Sequence, residues 1–171
     1  VNDLRELVNT FHKNKLKVNL DVVFNHVYKW KDFSLNKLCP YGVYRYKNDE
    51  ELSNGSFCGN EIKSENPLMR AYIKLMCLRY LKLFDIDGMR FDLMGLIDAD
   101  TMNELIKELR ALKSDFMVYG EGWDMPTPLD FYKRSTIANR QNLSTNIAFF
   151  NPEFRDVIKG ATSDDYIKEK G

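Results

Sequence analysis

Charged residues interrupt three short apolar runs of the chain: Asp21 in VNLDVVFNH, Arg90 and Asp92 in GMRFDLMG, and Glu121 in VYGEGW. A strand buried on both faces should be almost wholly apolar, because an unpaired charge in a low-dielectric interior is costly. Side chains alternate across a strand, so Arg90 and Asp92 face one side together while Phe91 faces the other. A guanidinium beside Asp92 favours the ionised carboxylate, which is the form a carboxylate nucleophile must keep. Glu121 follows one strand-helix-strand repeat later, so it sits across from Asp92 at the end of the neighbouring strand. Two carboxylates can then flank one bond. Glycoside hydrolysis needs such a pair, one group attacking an anomeric carbon and the other, protonated, donating to the leaving oxygen. Adjacent strands lie about 4.8 Å apart, a spacing that suits enzymes retaining anomeric configuration better than inverting ones. A structural ion pair would also place Arg beside Asp, and spacing alone leaves the two readings level.

The elements that must carry these residues alternate in type. Leu4, Leu7, Val8 and Phe11 recur at helical spacing from Asp3 to about Lys15, and the apolar, β-branched KVNLDVVF that follows reads as a buried parallel strand. The stretch from Val27 to about Pro67, rich in Tyr, Asn, Ser and Gly, shows no clear period and reads as a long loop of the kind that usually serves function. Pro67 suits the first turn of a helix running to about Phe84. The strand MRFDLMG comes next, then a helix from about Asp100 to Leu112 capped by Asp98 or Asp100, and then the strand FMVYGE. The run IAFF is a fourth candidate strand, and FRDVIKG a short amphipathic helix after it. This alternation predicts βαβ units around a parallel sheet, in an α/β fold that is either an open sheet or a barrel. A complete (β/α)₈ barrel needs about 200 residues or more, so a barrel would be about half present.

Composition narrows the ligand. The chain has 171 residues, 44% of them hydrophobic, with 25 basic and 25 acidic side chains. Such a balance, without long blocks of one sign, gives no electrostatic reason to expect nucleic acid, an anionic membrane or a strongly charged substrate. No apolar run approaches the length of a bilayer span, and the charged start VNDLREL lacks the regions of a signal peptide. Cys39, Cys58 and Cys77 are odd in number and lack CxxC spacing, so they read as free thiols, which leans toward a reducing, cytoplasmic compartment over secretion. Asp85-Ile86-Asp87-Gly88 lacks the later ligand positions of a calcium loop and reads as a turn into a strand.

At these residues the sequence resembles the pullulanases of the α-amylase superfamily of glycoside hydrolases. DVVFNH (Asp21 to His26), DGMRFDLMG (Asp87 to Gly95) and YGEGWD (Tyr119 to Asp124) are similar, in order and spacing, to the family's conserved blocks at the ends of barrel strands three, four and five. The connecting NGSFCGNE, LIDADTMNEL and GWDMPTPL are pullulanase-like too. The resemblance implies a partial (β/α)₈ TIM barrel, about strands three to six, forming a single incomplete catalytic domain over residues 1–171 with a long inserted loop at 27–66. It makes Asp92 the nucleophile, Glu121 the general acid/base and Arg90 the partner of Asp92. His26, Trp123 and Met94 would contact the sugar, with Asp21 and Asn25 structural beside them. The implied reaction is hydrolysis of α-1,6-glucosidic branch bonds in pullulan, amylopectin and dextrins.

The family's fourth block, a His-Asp pair at strand seven, has no counterpart in the chain, and strands one and two are missing. The chain alone is therefore expected to be inactive or nearly so. Open sheet edges and an apolar inner surface would favour self-association or docking with the remainder of a barrel. No cofactor or catalytic metal is implied, and a structural calcium ion is left open. Other α-glucan hydrolases (isoamylase, α-amylase or neopullulanase) and a non-catalytic glucan-binding piece are the competing readings. Metal-assisted phosphoryl transfer is disfavoured by the lack of a phosphate-binding loop.

Overall fold

A computed structural model describes residues 1–160. Four parallel strands form one sheet in the order β1 (Asn19–Val22), β4 (Gly88–Phe91), β5 (Met117–Gly120), β6 (Ile147–Phe149), with Asp21 opposite Arg90 and Phe91 opposite Gly120. Helices α1 (Asn2–Lys13), α3 (Pro67–Phe84) and α4 (Ala99–Leu112) alternate with the strands, and α5 (Pro152–Lys159) follows β6. This is part of a (β/α)₈ barrel, the predicted fold class.

The helix boundaries follow local chemistry. Asn66 accepts the Leu68 amide ahead of Pro67 at the start of α3, which ends where Asp85 turns left-handed at φ 53°. Asp98 caps α4 by accepting from the Thr101 amide. Both features satisfy or terminate the orphan groups of a helix end.

One face of the sheet is apolar and covered. Val22, Met89, Phe91, Val118 and Ile147 point to the helices and pack with Ile73, Cys77, Leu81, Leu105, Ile106 and Leu109. The other face carries Asn19, Asp21, Arg90, Met117, Tyr119 and Ala148, in register across the strands. One expectation is corrected here: among the described residues the inner surface, where Asp21 and Met117 stand exposed, is mixed and charged rather than apolar. Asp21 and Arg90 can remain there because water still solvates them.

The stretch from Val27 to Pro67, read from sequence as loop, contains local structure. β2 (His26–Val27) pairs antiparallel with β3 (Asn60–Glu61), and α2 (Ser34–Leu38) lies between them. Bridges Tyr44–Ile62 and Tyr46–Leu52 extend the pairing. Val43, Tyr44, Ile62 and Met69 form a second apolar cluster, with Val27, Trp30, Phe33 and Leu35 packed against it. Because Met69 belongs to α3, this small core is tied to the larger one.

Cys39, Cys58 and Cys77 are free thiols, and burial pushes the Cys77 thiol up, out of the reactive range. Among the described residues, no helix is long and apolar enough to cross a membrane.

Candidate active site

The C-terminal ends of β1, β4 and β5 bring Asp21, Asp92 and Glu121 onto a single guanidinium. Arg90 Nη1 donates to Asp21 Oδ1 at 2.8 Å and to Asp92 Oδ1 at 3.0 Å, and its Nη2 lies 2.7 Å from Glu121 Oε1. Ladder bonds run on past the strands: Asp92 N donates to Val22 O and Glu121 N to Phe91 O. Asp92 and Glu121 are therefore still in register at the mouth of the sheet. Partial burial works against the charge on Arg90, but the Asp21, Asp92 and Glu121 carboxylates outweigh it and hold the guanidinium charged. Asp21, whose side chain is 66% exposed, is the most solvated of the three, against 26% for Asp92 and 22% for Glu121.

Backbone geometry fixes Glu121 further. Leu93 is left-handed (φ 38°, ψ 51°), an unfavourable conformation for a branched side chain. The turn it makes aims its amide at Glu121 Oε2, 3.0 Å away. Gly95 closes the turn, since a Cβ there would lie 2.0 Å from the Trp123 carbonyl oxygen.

Asn25 links the first block to the second. Its side chain is almost fully buried and donates to the Asp92 carbonyl at 2.6 Å and to Asp92 Oδ2 at 3.3 Å. With Nδ2 committed, Asn25 Oδ1 can only accept, so the proton on its bond to His26 sits on His26 Nδ1. His26 Nε2 has no hydrogen-bond partner among the described residues. Trp123, half-buried, is two residues beyond Glu121.

Met94 departs from its expected place. It is wholly enclosed in the main core against Gly120 and presents no surface to a cleft. The left-handed turn at Leu93 ends the strand alternation that would have carried it onto the face of Asp92.

Sequence reasoning missed the group that anchors residues 27–66 to this end of the sheet. Arg45, 2% exposed, donates through Nη1 to Glu61 and to the Leu96 carbonyl at 2.7 Å, and through Nη2 to Ser64 Oγ and Glu65. Glu61 Oε1 also accepts from Thr127 Oγ1, and Glu61 Oε2 from Ser53 Oγ at 2.7 Å. Leu96 and Thr127 lie in the segments that follow Asp92 and Glu121. Glu61 itself pairs with His26 across β2 and β3. The only hint in the sequence is a glutamate at the end of NGSFCGNE. Among the described residues, no group of three or more His, Cys, Asp or Glu side chains could hold a metal ion.

No family model matches the chain. It is 38% identical over 160 residues to the pullulanase of Bacillus subtilis, a match covering 94% of the chain and 22% of that protein. It is 30% identical over 173 residues to chloroplastic pullulanase 1 of Arabidopsis thaliana, covering 94% of the chain and 18% of that protein. The crystal structure of the Paenibacillus barengoltzii pullulanase in complex with maltohexaose and α-cyclodextrin superposes with a TM-score of 0.89 at 42% identity, over 92% of the chain and 24% of that one. The chain thus spans about a fifth of the length of the curated relatives it matches. By sequence and by fold, the chain is similar to a segment of the pullulanases, one that carries part of a (β/α)₈ barrel.

Proposed function

We propose that this segment supplies the nucleophile and the acid/base of a retaining glycoside hydrolase that cleaves α-1,6-glucosidic bonds in pullulan, amylopectin and related dextrins. The observation that carries the reading is the contact of Asp92 and Glu121, from neighbouring strands, with the one Arg90 guanidinium. Asp92 attacks the anomeric carbon and forms a glycosyl ester, while Glu121 gives its proton to the departing glycosidic oxygen. A water then attacks the same carbon, its proton passes to Glu121, and the ester to Asp92 breaks. Two displacements at one carbon return the original configuration.

Arg90 orients Asp92 throughout and must release Glu121 for proton transfer. His26 Nε2 would hydrogen-bond a hydroxyl of the sugar beside the scissile bond, and Trp123 would stack on a pyranose face. Asp21 and Asn25 position Arg90 and Asp92. Substrate class is taken from the family, one of whose members binds maltohexaose.

The test exchanges this segment for its matched part of the Bacillus subtilis pullulanase and follows pullulan hydrolysis. Turnover to maltotriose, lowered at least about 100-fold by Asp92→Asn and by Glu121→Gln, is the expected result. Turnover untouched by either substitution refutes it, and panose or isopanose as product overturns the linkage. The isolated chain is expected to show almost no turnover.

A further inference from the structure

A cleft of about 590 Å³ opens in residues 27–66, lined by Trp30, Tyr41, Tyr46 and Asn60 together with Asp49 and Glu50. Its size falls within the range of sites that hold small molecules. The lining is of two kinds. Three aromatic rings offer apolar surface, with Lys31 Nζ 5.5 Å from the Trp30 ring centroid, and the carboxylates and amide offer hydrogen-bonding groups. Glu51 and Leu52 complete the lining, and of its three carboxylates only Glu51 is ion-paired among the described residues, to Lys47 at its edge. The excess negative charge disfavours an anion, while a purely apolar ligand would desolvate the carboxylates without compensation. A ring with apolar faces and a belt of hydroxyls meets both demands.

The cleft is also built at a conformational cost. Tyr41 is 75% exposed, yet it holds a left-handed backbone at φ 64°, a conformation that favours glycine. Its ring stands 6.0 Å from that of Tyr46, the two planes inclined by 33°. Asn48 Oδ1 accepts the Glu50 and Glu51 amides at 3.0 and 2.8 Å and so fixes the acidic turn. The Asp49 and Glu50 carboxylates have no hydrogen-bond or ion-pair partner among the described residues. Asn60 pairs with Val27, the residue after His26, so one short ribbon joins the cleft to the candidate active site.

We infer that this cleft is a second sugar-binding site, taking a neutral α-glucan segment without cleaving it. The choice of an α-glucan rests on the function proposed above, whereas the preference for a neutral polyhydroxylated ring rests on the lining alone.

The chain has two tryptophans, and the two indole N–H signals of the isotope-labelled chain report on them separately, with Trp123→Phe assigning Trp30. Titration with maltohexaose should shift the Trp30 signal saturably, and Tyr41→Gly should weaken that binding about tenfold. Its melting temperature should not fall, because glycine suits the backbone there. The exposed substitutions Asp49→Ala and Glu50→Ala provide a second route and should weaken binding in the same direction. The Trp30 response should persist in Asp92→Asn, so failure of the catalytic assignment and failure of this site are read independently. A folded chain whose Trp30 signal does not move, or unchanged affinity in all three cleft variants, overturns the inference.

Discussion

Replacing Arg45 with alanine should free the inserted segment from the sheet. Arg45 and Glu61 are enclosed, with side-chain exposures of 1% and 0%, while Glu65 on the other side keeps 28%. Burial opposes the charge on Arg45, and its hydrogen bonds and charge pairing with Glu65 and Glu61 outweigh that burial, holding the guanidinium protonated. Removing the guanidinium strands the Glu61 carboxylate in a low dielectric with only Thr127, Ser53 and the Gly55 amide to hold it. Breaking a buried pair in this way costs about 3–5 kcal/mol. Since the isolated interaction is offset by desolvation of both charges, removing both partners should cost less than removing one: Arg45→Met with Glu61→Leu is expected to recover part of that loss.

Urea unfolding gives the free energies, and hydrogen exchange over residues 27–66 shows where the loss falls. Amides of Ile62 and Lys63, bonded to Asn25 and Val43 carbonyls, should exchange faster in Arg45→Ala, while those of α3 and α4 hold. A single variant that loses less than about 1 kcal/mol, or a double variant that loses the sum of the two singles, refutes the reasoning. The first result would mean that water reaches Glu61, and the second that the two charges do not interact.

Three further outcomes follow from other contacts. Asp87 sits at the opposite end of β4, where burial alone would raise it, but Lys113, the Val18 amide and His12 together pull it from 3.8 down to about 2. That depression contributes about 2 kcal/mol above the unfolded value, fully present at higher pH and lost as pH falls through about 2; Asp87→Asn should flatten this acid limb of the stability curve measured by urea unfolding. Gly95→Ala should destabilise by about 1–3 kcal/mol through collision with the Trp123 carbonyl, and a melting temperature equal to that of the parent would show that the turn can give way. Asn25→Ala removes the donor to Asp92 and the acceptor of His26 at once, so in the exchanged pullulanase it should lower kcat and raise KM together, with kinetics unchanged from the parent counting against the link.

The sequence made the chemistry of the sheet legible because strand alternation and parallel pairing are strict rules. Arg90, Asp92 and Glu121 could be placed together from a period of two and one repeat length, and the structure puts them there. The character of the inner face was less legible, since an apolar run does not show what its charged positions meet; Asp21 is held there by Arg90. The structure in residues 27–66 escaped because its core draws on single residues, Val43, Tyr44 and Ile62, at no regular spacing. Arg45 and Glu61 likewise look like two more surface charges among the 50 in the chain.

Met94 shows where the strand rule stops. Counting by twos from Asp92 puts residue 94 on the same face, and that count holds only while the backbone stays extended. Leu93, at φ 38°, leaves the β region one residue after the nucleophile candidate. No glycine marks the break, and for a leucine such a backbone is a strain that local sequence would argue against. Its return appears in the tertiary structure alone: the same turn that drives Met94 into the core delivers the Leu93 amide to Glu121 Oε2. Leu93→Gly should therefore keep Glu121 in place and stabilise the chain, whereas Leu93→Pro, which cannot adopt a positive φ and has no amide hydrogen, should release Glu121 and lower both stability and turnover in the exchanged enzyme.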